Sequence, residues 1–166
     1  KIAGESCEYR DRQWQSCHSL GNKYDKGVQL LKCAVALQYT LPGVPSVYYG
    51  DEAGLEGYKD PFNRGCYPWG KENQELVEFY KTMGRIRKEN SVFQKGYFSP
   101  VSSMLGCVAF RRHDGNGNIM VIVNRNEHSI SYRLPYDFEN SFALYGDNPQ
   151  NGEVFIDGCS FVILSL

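Results

Sequence analysis

The sequence lacks a strong net charge and a long apolar run. Its 166 residues carry a formal net charge of −1 with a pI near 6.3. This excludes the basic field that holds nucleic acid and the polybasic face that holds a membrane surface. No apolar run approaches the ~20 residues of a membrane-spanning helix. We therefore expect no nucleic-acid partner and no membrane contact.

Several signals of catalysis and targeting are also missing. The sequence contains no G-x-S-x-G, no P-loop and no G-x-G-x-x-G motif. Its six cysteines form no C-x-x-C pair, and its three histidines show no metal-ligand spacing. We predict no metal and no cofactor. No apolar segment follows a basic N-terminus as in a signal peptide, but a sequence that begins at Lys1 says little about its compartment.

The cysteines that are present lie mostly in apolar runs. Cys33 falls in a helix-like run, whereas Cys107 and Cys159 fall in strand-like runs. A chain of this length can bury a core without disulfides. We therefore expect buried free thiols, which favour a reducing interior and a cytoplasmic location, with secretion as the alternative.

The pattern of the chain changes near residue 90, which predicts an α+β fold with two domains, 1–90 and 91–166. Residues 1–24 indicate an irregular polar arm. A helix capped by Asp25 is predicted to run to about Thr40, where Pro42 and Gly43 end it.

The run "PSVYYG" that follows this helix is typical of a short parallel strand buried on both faces. A loop over 50–70 comes next, and loops of this length are usually functional or disordered. Asn73 is predicted to cap a second helix that ends near Asn90. The order helix, strand, loop, helix is one repeat of an α/β fold and cannot close a sheet, so residues 1–90 resemble the end of a larger unit.

Short strands with turns dominate from Ser91 onwards. The predicted strands lie in "GCVAFRRH", "IMVIVN", "SISYRL", "SFALY", "EVFI" and "CSFVILS". Asp157-Gly158, between the last two runs, predicts a two-residue hairpin turn. Strands at this spacing indicate an antiparallel β-sandwich.

Two carboxylates, Asp51 and Glu52, follow the predicted parallel strand, and Glu56 and Asp60 lie close behind. Sites in α/β folds form where loops leave the carboxyl ends of strands. Neighbours in an extended chain nevertheless point to opposite faces, whereas the two carboxyls of a glycosidase face each other about 5–9.5 Å apart. We expect one of the pair to face solvent and the other to accept backbone N–H bonds.

The stretch "DPFNRGCYPW" combines Asp60, Arg64, Tyr67 and Trp69. A carboxylate acceptor, a planar guanidinium donor and an aromatic platform are the groups that bind sugars. The same residues are equally consistent with an Asp60–Arg64 ion pair beside packing aromatics. Local chemistry leaves both interpretations open.

Residues 30–69, "LLKCAVALQYTLPGVPSVYYGDEAGLEGYKDPFNRGCYPW", resemble the end of the catalytic barrel in glycoside hydrolase family 13, the α-amylase family. The neopullulanase, cyclomaltodextrinase and α-glycosidase branch is the most similar. The resemblance implies the last βα unit of a (β/α)8 barrel followed by the β-sandwich called domain C. It implies a parent that cleaves or transfers α-1,4-glucosidic bonds with retention, and whose partner is an α-glucan or maltooligosaccharide.

The resemblance also implies roles for single residues. Asp60 and Arg64 match the family's sugar-binding Asp and Arg, while Tyr49, Asp51 and Glu52 match the strand exit that forms the scaffold of the site's edge. Gly65 stands where the family often has a second arginine, which removes any role that needs a guanidinium there.

The family's three catalytic carboxylates belong to earlier barrel strands, and no His-Asp pair precedes the first predicted helix. We therefore assign no catalytic residue and expect the chain alone to be inactive. The alternatives are a non-catalytic glucan-binding module, a purely structural module, or a free-standing α+β protein. Val28, Leu31, Val47 and Tyr48 would leave an apolar face of a barrel remnant exposed, which predicts self-association or a partly disordered arm.

Overall fold

The computed structural model describes residues 21–58 and 60–166. A 3-10 turn at Gly21–Lys23 leads into three helices, α1 (Tyr24–Thr40), α2 (Gln74–Glu89) and α3 (Val92–Lys95). The strands are β1 (Tyr97–Met104), β2 (Cys107–His113), β3 (Asn118–Asn124), β4 (Ile130–Arg133), β5 (Phe142–Tyr145), β6 (Glu153–Ile156) and β7 (Ser160–Ser165). The part of the predicted arm that precedes residue 21 lies outside the described residues. The fold is a mixture of helices and antiparallel sheet.

The strands form two antiparallel sheets. The larger has the order β1-β2-β3-β7-β5, and β4 pairs with β6 in a separate two-stranded ribbon. In β3, Ile119, Val121 and Val123 pack in the core under the helices, whereas Met120 and Ile122 pack in a second core under the ribbon. The larger sheet therefore lies between the helices and the ribbon, and its central strand is buried on both faces.

The helix-side core joins α1 and α2 to the sheet. Its buried members are Cys33, Val35, Ala36, Leu76, Phe79, Tyr80, Met83, Ile86, Val92, Phe93, Phe110, Ile119, Val121, Val123, Phe161 and Ile163. Residues from both sides of position 90 thus share one core. The division into domains 1–90 and 91–166 stays a prediction.

Helix α1 begins two residues earlier than a cap at Asp25 predicts, and its cap differs. Lys23 is the N-cap residue and makes no side-chain capping bond, so the prediction that Asp25 caps the helix is wrong. The preceding 3-10 turn continues directly into the helix and moves Asp25 into its first turn, where a carboxylate favours the helix dipole. The end is as predicted: Leu41 is the C-cap, directly before Pro42.

Two arginines from other elements bond the carbonyls at the end of α1. Arg112 of β2 is 1% exposed and donates from Nη1 to Thr40 O at 2.6 Å and from Nη2 to Gly96 O at 2.9 Å. Arg87 of α2 donates to Tyr39 O at 2.6 Å. Burial lowers the pKa of the Arg112 guanidinium, and the nearby charge of Arg87 lowers it further. The helix end therefore binds two cations.

Helix α2 confirms its prediction. The Asn73 side chain accepts a bond from Leu76 N at 3.2 Å, and Asn90 is the C-cap. Its buried residues recur at helical spacing and are Leu76, Phe79, Tyr80, Met83 and Ile86. Local capping and periodicity are sufficient to define this helix.

The predicted parallel strand at "PSVYYG" is wrong in this structure. Residues 44–48 have no regular secondary structure, and Val47 and Tyr48 are 39% and 48% exposed. A parallel strand is stable when neighbouring strands satisfy its backbone groups and helices cover its faces. Within the described residues, no strand pairs with this segment.

Two details of the strand region also differ from prediction. β6 pairs with β4, whereas β7 pairs with β3 and β5, so Asp157-Gly158 connects two sheets and the predicted hairpin is wrong. β1 had no counterpart in the prediction. It contains Pro100, which a strand tolerates at an edge, and a register shift follows that residue.

The cysteines confirm the predicted burial. Cys33, Cys107 and Cys159 are buried free thiols, and Cys66 is exposed. Burial raises the pKa of Cys33 to about 12, with a contribution from Cys159.

None of the helices over 21–58 and 60–166 has the length and apolar character to cross a bilayer.

Candidate functional site

The first part of loop 50–70 is fixed to both long helices. Ala53 is buried, and its carbonyl accepts a bond from Asn73 N at 2.9 Å. Tyr24 Oη of α1 donates to Gly54 O at 3.1 Å and accepts from Asn73 Nδ2 at 3.2 Å. The loop is therefore positioned by the first turn of α1 and the cap of α2.

This arrangement requires a glycine at position 54. Its φ is +74°, and a Cβ at this position would lie 2.2 Å from Tyr24 Oη. A side chain would therefore meet both left-handed backbone strain and a steric overlap.

The adjacent carboxylates Asp51 and Glu52 have different surroundings. Glu52 Oε2 accepts a bond from Gly50 N at 3.0 Å, which confirms that one of the pair accepts a backbone N–H. Asp51 is partly buried rather than turned to solvent. Burial raises its pKa, and the Glu52 charge raises it further. The two carboxylates therefore differ in their partners, although the charge of Glu52 acts on Asp51.

The charge of Glu52 acts on three tyrosines. Burial raises the pKa of Tyr39, Tyr67 and Tyr80, and in each case the negative charge of Glu52 raises it further. For Tyr80, the charge of Asp51 also contributes. Each tyrosine hydroxyl is a hydrogen-bond donor in this region.

Asp51 lines a cavity of about 330 Å³ between α1 and the loop. The cavity wall carries the aromatic rings of Tyr24, Tyr48, Tyr49 and Tyr58 together with Val28, Leu31, Leu55, Asn63 and Leu76. The Oδ1 atom of Asn63 is buried and has no hydrogen-bond partner among the described residues. The cavity thus offers apolar and aromatic surface with a few polar groups, as small-molecule sites do.

Asp60 and Arg64 lie together on the surface. Arg64 donates to Asp60 Oδ1 from Nη2 at 2.7 Å and from Nε at 3.0 Å. The Arg64 side chain is 66% exposed, and the Asp60 side chain is 63% exposed. The ion-pair interpretation is therefore confirmed as a contact. Exposed pairs of this kind contribute roughly 0–1 kcal/mol, so the pair can exchange its mutual bonds for bonds to a ligand at low cost.

Two aromatic residues follow this pair in the loop and contact each other. The rings of Tyr67 and Trp69 have centroids 4.5 Å apart at 48°, and Trp69 is 82% exposed. Tyr49 Oη donates to Gly65 O at 2.9 Å, which links the residues before the loop to the Arg64 segment. The predicted scaffold residue Tyr49 and the predicted binding segment are thereby brought together.

Tyr24 and Asn63 belong to this region but had no predicted role. Tyr24 lies 30 positions from Gly54 in the sequence, and no local pattern relates the two. Asn63 lies inside "DPFNRG", where Asp60 and Arg64 were the residues predicted to bind sugar. In the part of the chain that the structure describes, no group of three His, Cys, Asp or Glu side chains could hold a metal ion.

Comparison with known proteins identifies relatives, although no family model matches the chain. The amylopullulanase of Thermoanaerobacter thermohydrosulfuricus is 45% identical over 93 residues, covering 56% of this chain and 6% of that protein. The cyclomaltodextrinase of Geobacillus thermopakistaniensis is 30% identical over 143 residues, covering 84% of this chain and 24% of that protein. The solved maltogenic amylase from S. marinus matches with a TM-score of 0.67 and 33% identity, covering 82% of this chain and 19% of that one. The chain is homologous to the α-amylase family, glycoside hydrolase family 13.

Homology to the α-amylase family confirms the predicted resemblance, and it concerns the C-terminal portions of those glycosidases. The chain spans 6% and 24% of the length of the two curated relatives. The comparisons do not address single residues. The roles of Asp60, Arg64, Tyr49, Asp51 and Glu52 therefore stay predictions.

Proposed function

We propose that this chain is the last βα unit and the domain C β-sandwich of a retaining α-glucan hydrolase or transglycosylase acting on α-1,4-glucosidic bonds. Homology to the C-terminal portions of α-glucan hydrolases supports the proposal. The order of elements supports it apart from the strand, because α1, a segment without regular secondary structure, a long loop and α2 precede two packed antiparallel sheets. The proposed partner of the intact parent is an α-glucan or maltooligosaccharide.

The proposed sugar contact rests on the exposed Asp60–Arg64 ion pair, which Tyr67 and the exposed Trp69 follow in the same loop. Asp60 would accept hydrogen bonds from sugar hydroxyls, and the Arg64 guanidinium would donate them in one plane. The exposed Trp69 ring offers a face for the C–H groups of a pyranose. Tyr49, Asp51 and Glu52 would hold the edge of this site.

We further propose that the isolated chain does not cleave glucans. The retaining mechanism needs two carboxyls about 5–5.5 Å apart across the bond. Glu52 is bonded to its own loop, and Asp51 lines a separate cavity. The test is a hydrolysis assay of the chain on maltotriose and on cyclodextrin. Product above the buffer rate would contradict the proposed inactivity.

A non-catalytic glucan-binding module is the second candidate, and the exposure of Trp69 favours it over a purely structural module. Titration of soluble starch into a Trp14→Phe variant would report on Trp69 by fluorescence. Asp60→Asn is expected to weaken the response by about tenfold, as for losing a charge-assisted hydrogen bond. Glu78→Gln breaks an equally exposed ion pair with Lys81 and should leave binding unchanged. The absence of any response would favour the structural role.

A further inference from the structure

The outer face of the β4–β6 ribbon breaks the usual alternation of a surface strand. In β6, Val154 and Ile156 point into the core, whereas Glu153 and Phe155 point outwards. Phe155 is 57% exposed and lies opposite Ser131 of β4. Outward positions of a half-buried ribbon are normally polar, so an exposed phenyl ring here has no role in the core.

This ring lines a concavity on the side of the larger sheet opposite the helices. The ribbon and residues 147–151 enclose a volume of about 720 Å³, within the roughly 300–1,000 Å³ of small-molecule sites. The concavity is distinct from the surface that carries Asp60 and Arg64. No residue of loop 50–70 lines it.

The polar groups around Phe155 fall into two sets. Arg133 donates to Glu139 Oε1 at 3.0 Å and to Asn151 O at 3.1 Å, and Ser131 Oγ donates to Glu153 Oε2 at 2.6 Å, so these groups hold one another. The side chains of Asp147, Gln150 and Asn151 also line the concavity but have no hydrogen-bond or ion-pair partner among residues 21–58 and 60–166. Ser131, Arg133 and Glu153 are therefore bonded within the protein, whereas the other three side chains keep free acceptors and donors.

We infer that this concavity is a second carbohydrate-binding surface, with Phe155 as the stacking platform and Asp147, Gln150 and Asn151 as the hydroxyl-binding groups. A pyranose has an apolar face of C–H groups and a rim of hydroxyls, which matches one exposed ring surrounded by amide and carboxylate groups. A charged ligand fits less well, because Arg133 is already neutralised by carboxylates. The assignment of the sugar to the α-glucan class rests on the proposed function.

The test is affinity electrophoresis of the whole chain through gels with and without soluble starch. The background carries Asp60→Asn and Arg64→Gln, so that the first proposed site is disabled. In this background Phe155→Ala should weaken retardation by about fivefold to tenfold, as for loss of one stacked ring, and Phe155→Tyr should preserve it. Phe142→Ala is the matched control, since Phe142 is 53% exposed on a strand of the other sheet and does not line the concavity.

Asp147→Asn supplies an independent variant at an exposed loop position, and it should also weaken retardation. Thermal unfolding of each variant verifies that the fold is intact. The inference is overturned if the background chain is not retarded, if Phe155→Ala migrates like its parent, or if Phe142→Ala has the same effect. A change in sedimentation without a change in retardation would instead make this face a protein contact and would also overturn it. Failure of the first site is read separately, from the Trp69 fluorescence response of the chain with Asp60 and Arg64 intact.

Discussion

Gly54 and Gly70 have almost the same backbone conformation but different surroundings. Their φ values are +74° and +73°, yet a Cβ at Gly54 would lie 2.2 Å from Tyr24 Oη whereas a Cβ at Gly70 would meet nothing within 4 Å. A comparison of substitutions at the two glycines therefore separates the cost of backbone strain from the cost of steric overlap. It also tests whether the loop is held by the contact between Tyr24 and Gly54.

We predict that Gly70→Ala lowers the free energy of unfolding by about 1 kcal/mol, the cost of a left-handed conformation. Gly54→Ala should lower it by about 2 kcal/mol or more, because the overlap with Tyr24 adds to the same strain. Urea unfolding measures both. Equal losses in the two variants would show that the contact with Tyr24 is unimportant.

The pKa of Asp51 predicts a pH dependence of stability. Its folded-state pKa lies above the ordinary 3.8, because burial and the Glu52 charge disfavour the ionised form. Between 3.8 and the raised value, the folded protein binds more protons than the unfolded chain. The contribution of this group is therefore present below 3.8 and is lost as pH rises through the raised pKa.

Asp51→Asn should remove this loss. The free energy of unfolding of the variant should increase relative to the unaltered chain as pH rises from below 3.8 towards neutrality. Urea unfolding at a series of pH values measures the difference. Parallel pH profiles for the two proteins would contradict the assignment.

The sequence alone predicted single residues well where the signal is chemical and local. Asn73 was predicted as a helix cap, and the acceptor role within the Asp51–Glu52 pair was predicted from strand geometry; both are present. Tyr24 was not predicted, since its partner Gly54 is distant in the sequence. Contacts of this kind are set by tertiary packing, which no local pattern records.

At the scale of elements, the end of α1 depends on arginines that belong to other elements. The last turn of α1 has no basic residue of its own. Arg112 supplies a buried charge that also donates to Phe93 O at 3.3 Å and thereby ties α1, α3 and β2 together. Removal of this side chain would leave several carbonyls without partners in a site that excludes water.

We predict that Arg112→Met lowers the free energy of unfolding by about 3 kcal/mol, and that Arg112→Lys loses less because one cation remains. Arg133→Met removes an exposed ion-paired guanidinium and should cost less than about 1 kcal/mol. Thermal or urea unfolding distinguishes them. Similar losses for Arg112→Met and Arg133→Met would contradict the proposed role of Arg112 at the helix end.

Elements were predictable where a helical period or a continuous apolar run dominates the sequence. α2 has a clear 3.6-residue stripe with a cap, and β3 and β7 are continuous apolar runs. The failures concern pairing: "PSVYYG" has strand composition without a neighbouring strand, and Asp157-Gly158 has hairpin composition between strands of different sheets. Composition predicts that a segment can be a strand, but the partner decides whether it is one.

At the scale of the whole molecule, residues 44–48 form an exposed apolar surface. Val47 and Tyr48 are exposed, and Val28 and Leu31 of α1 line the neighbouring cavity. Adjacent apolar side chains in contact with water favour association. The predicted self-association has its physical basis in this surface, and it stays a proposal.

We predict that the chain associates at high concentration and that Val47→Ser combined with Tyr48→Ser shifts it towards monomer. Leu105→Ser is the control, because Leu105 is exposed in the turn between β1 and β2 and is far from this surface in the sequence. Sedimentation velocity over a concentration series measures the shift. A monomeric unaltered chain, or an equal effect of Leu105→Ser, would contradict the prediction.

The double burial of β3 has a consequence for protein engineering. Its odd-numbered residues from 119 to 123 pack under the helices, and the residues between them pack under the ribbon. A chimera that joins this chain to a relative at residue 90 would place helices from one parent on a sheet from the other. Such a graft would succeed when the sheet residues under the helices are exchanged together with α1 and α2, because the helices pack on these side chains. They are Phe110, Ile119, Val121, Val123, Phe161 and Ile163.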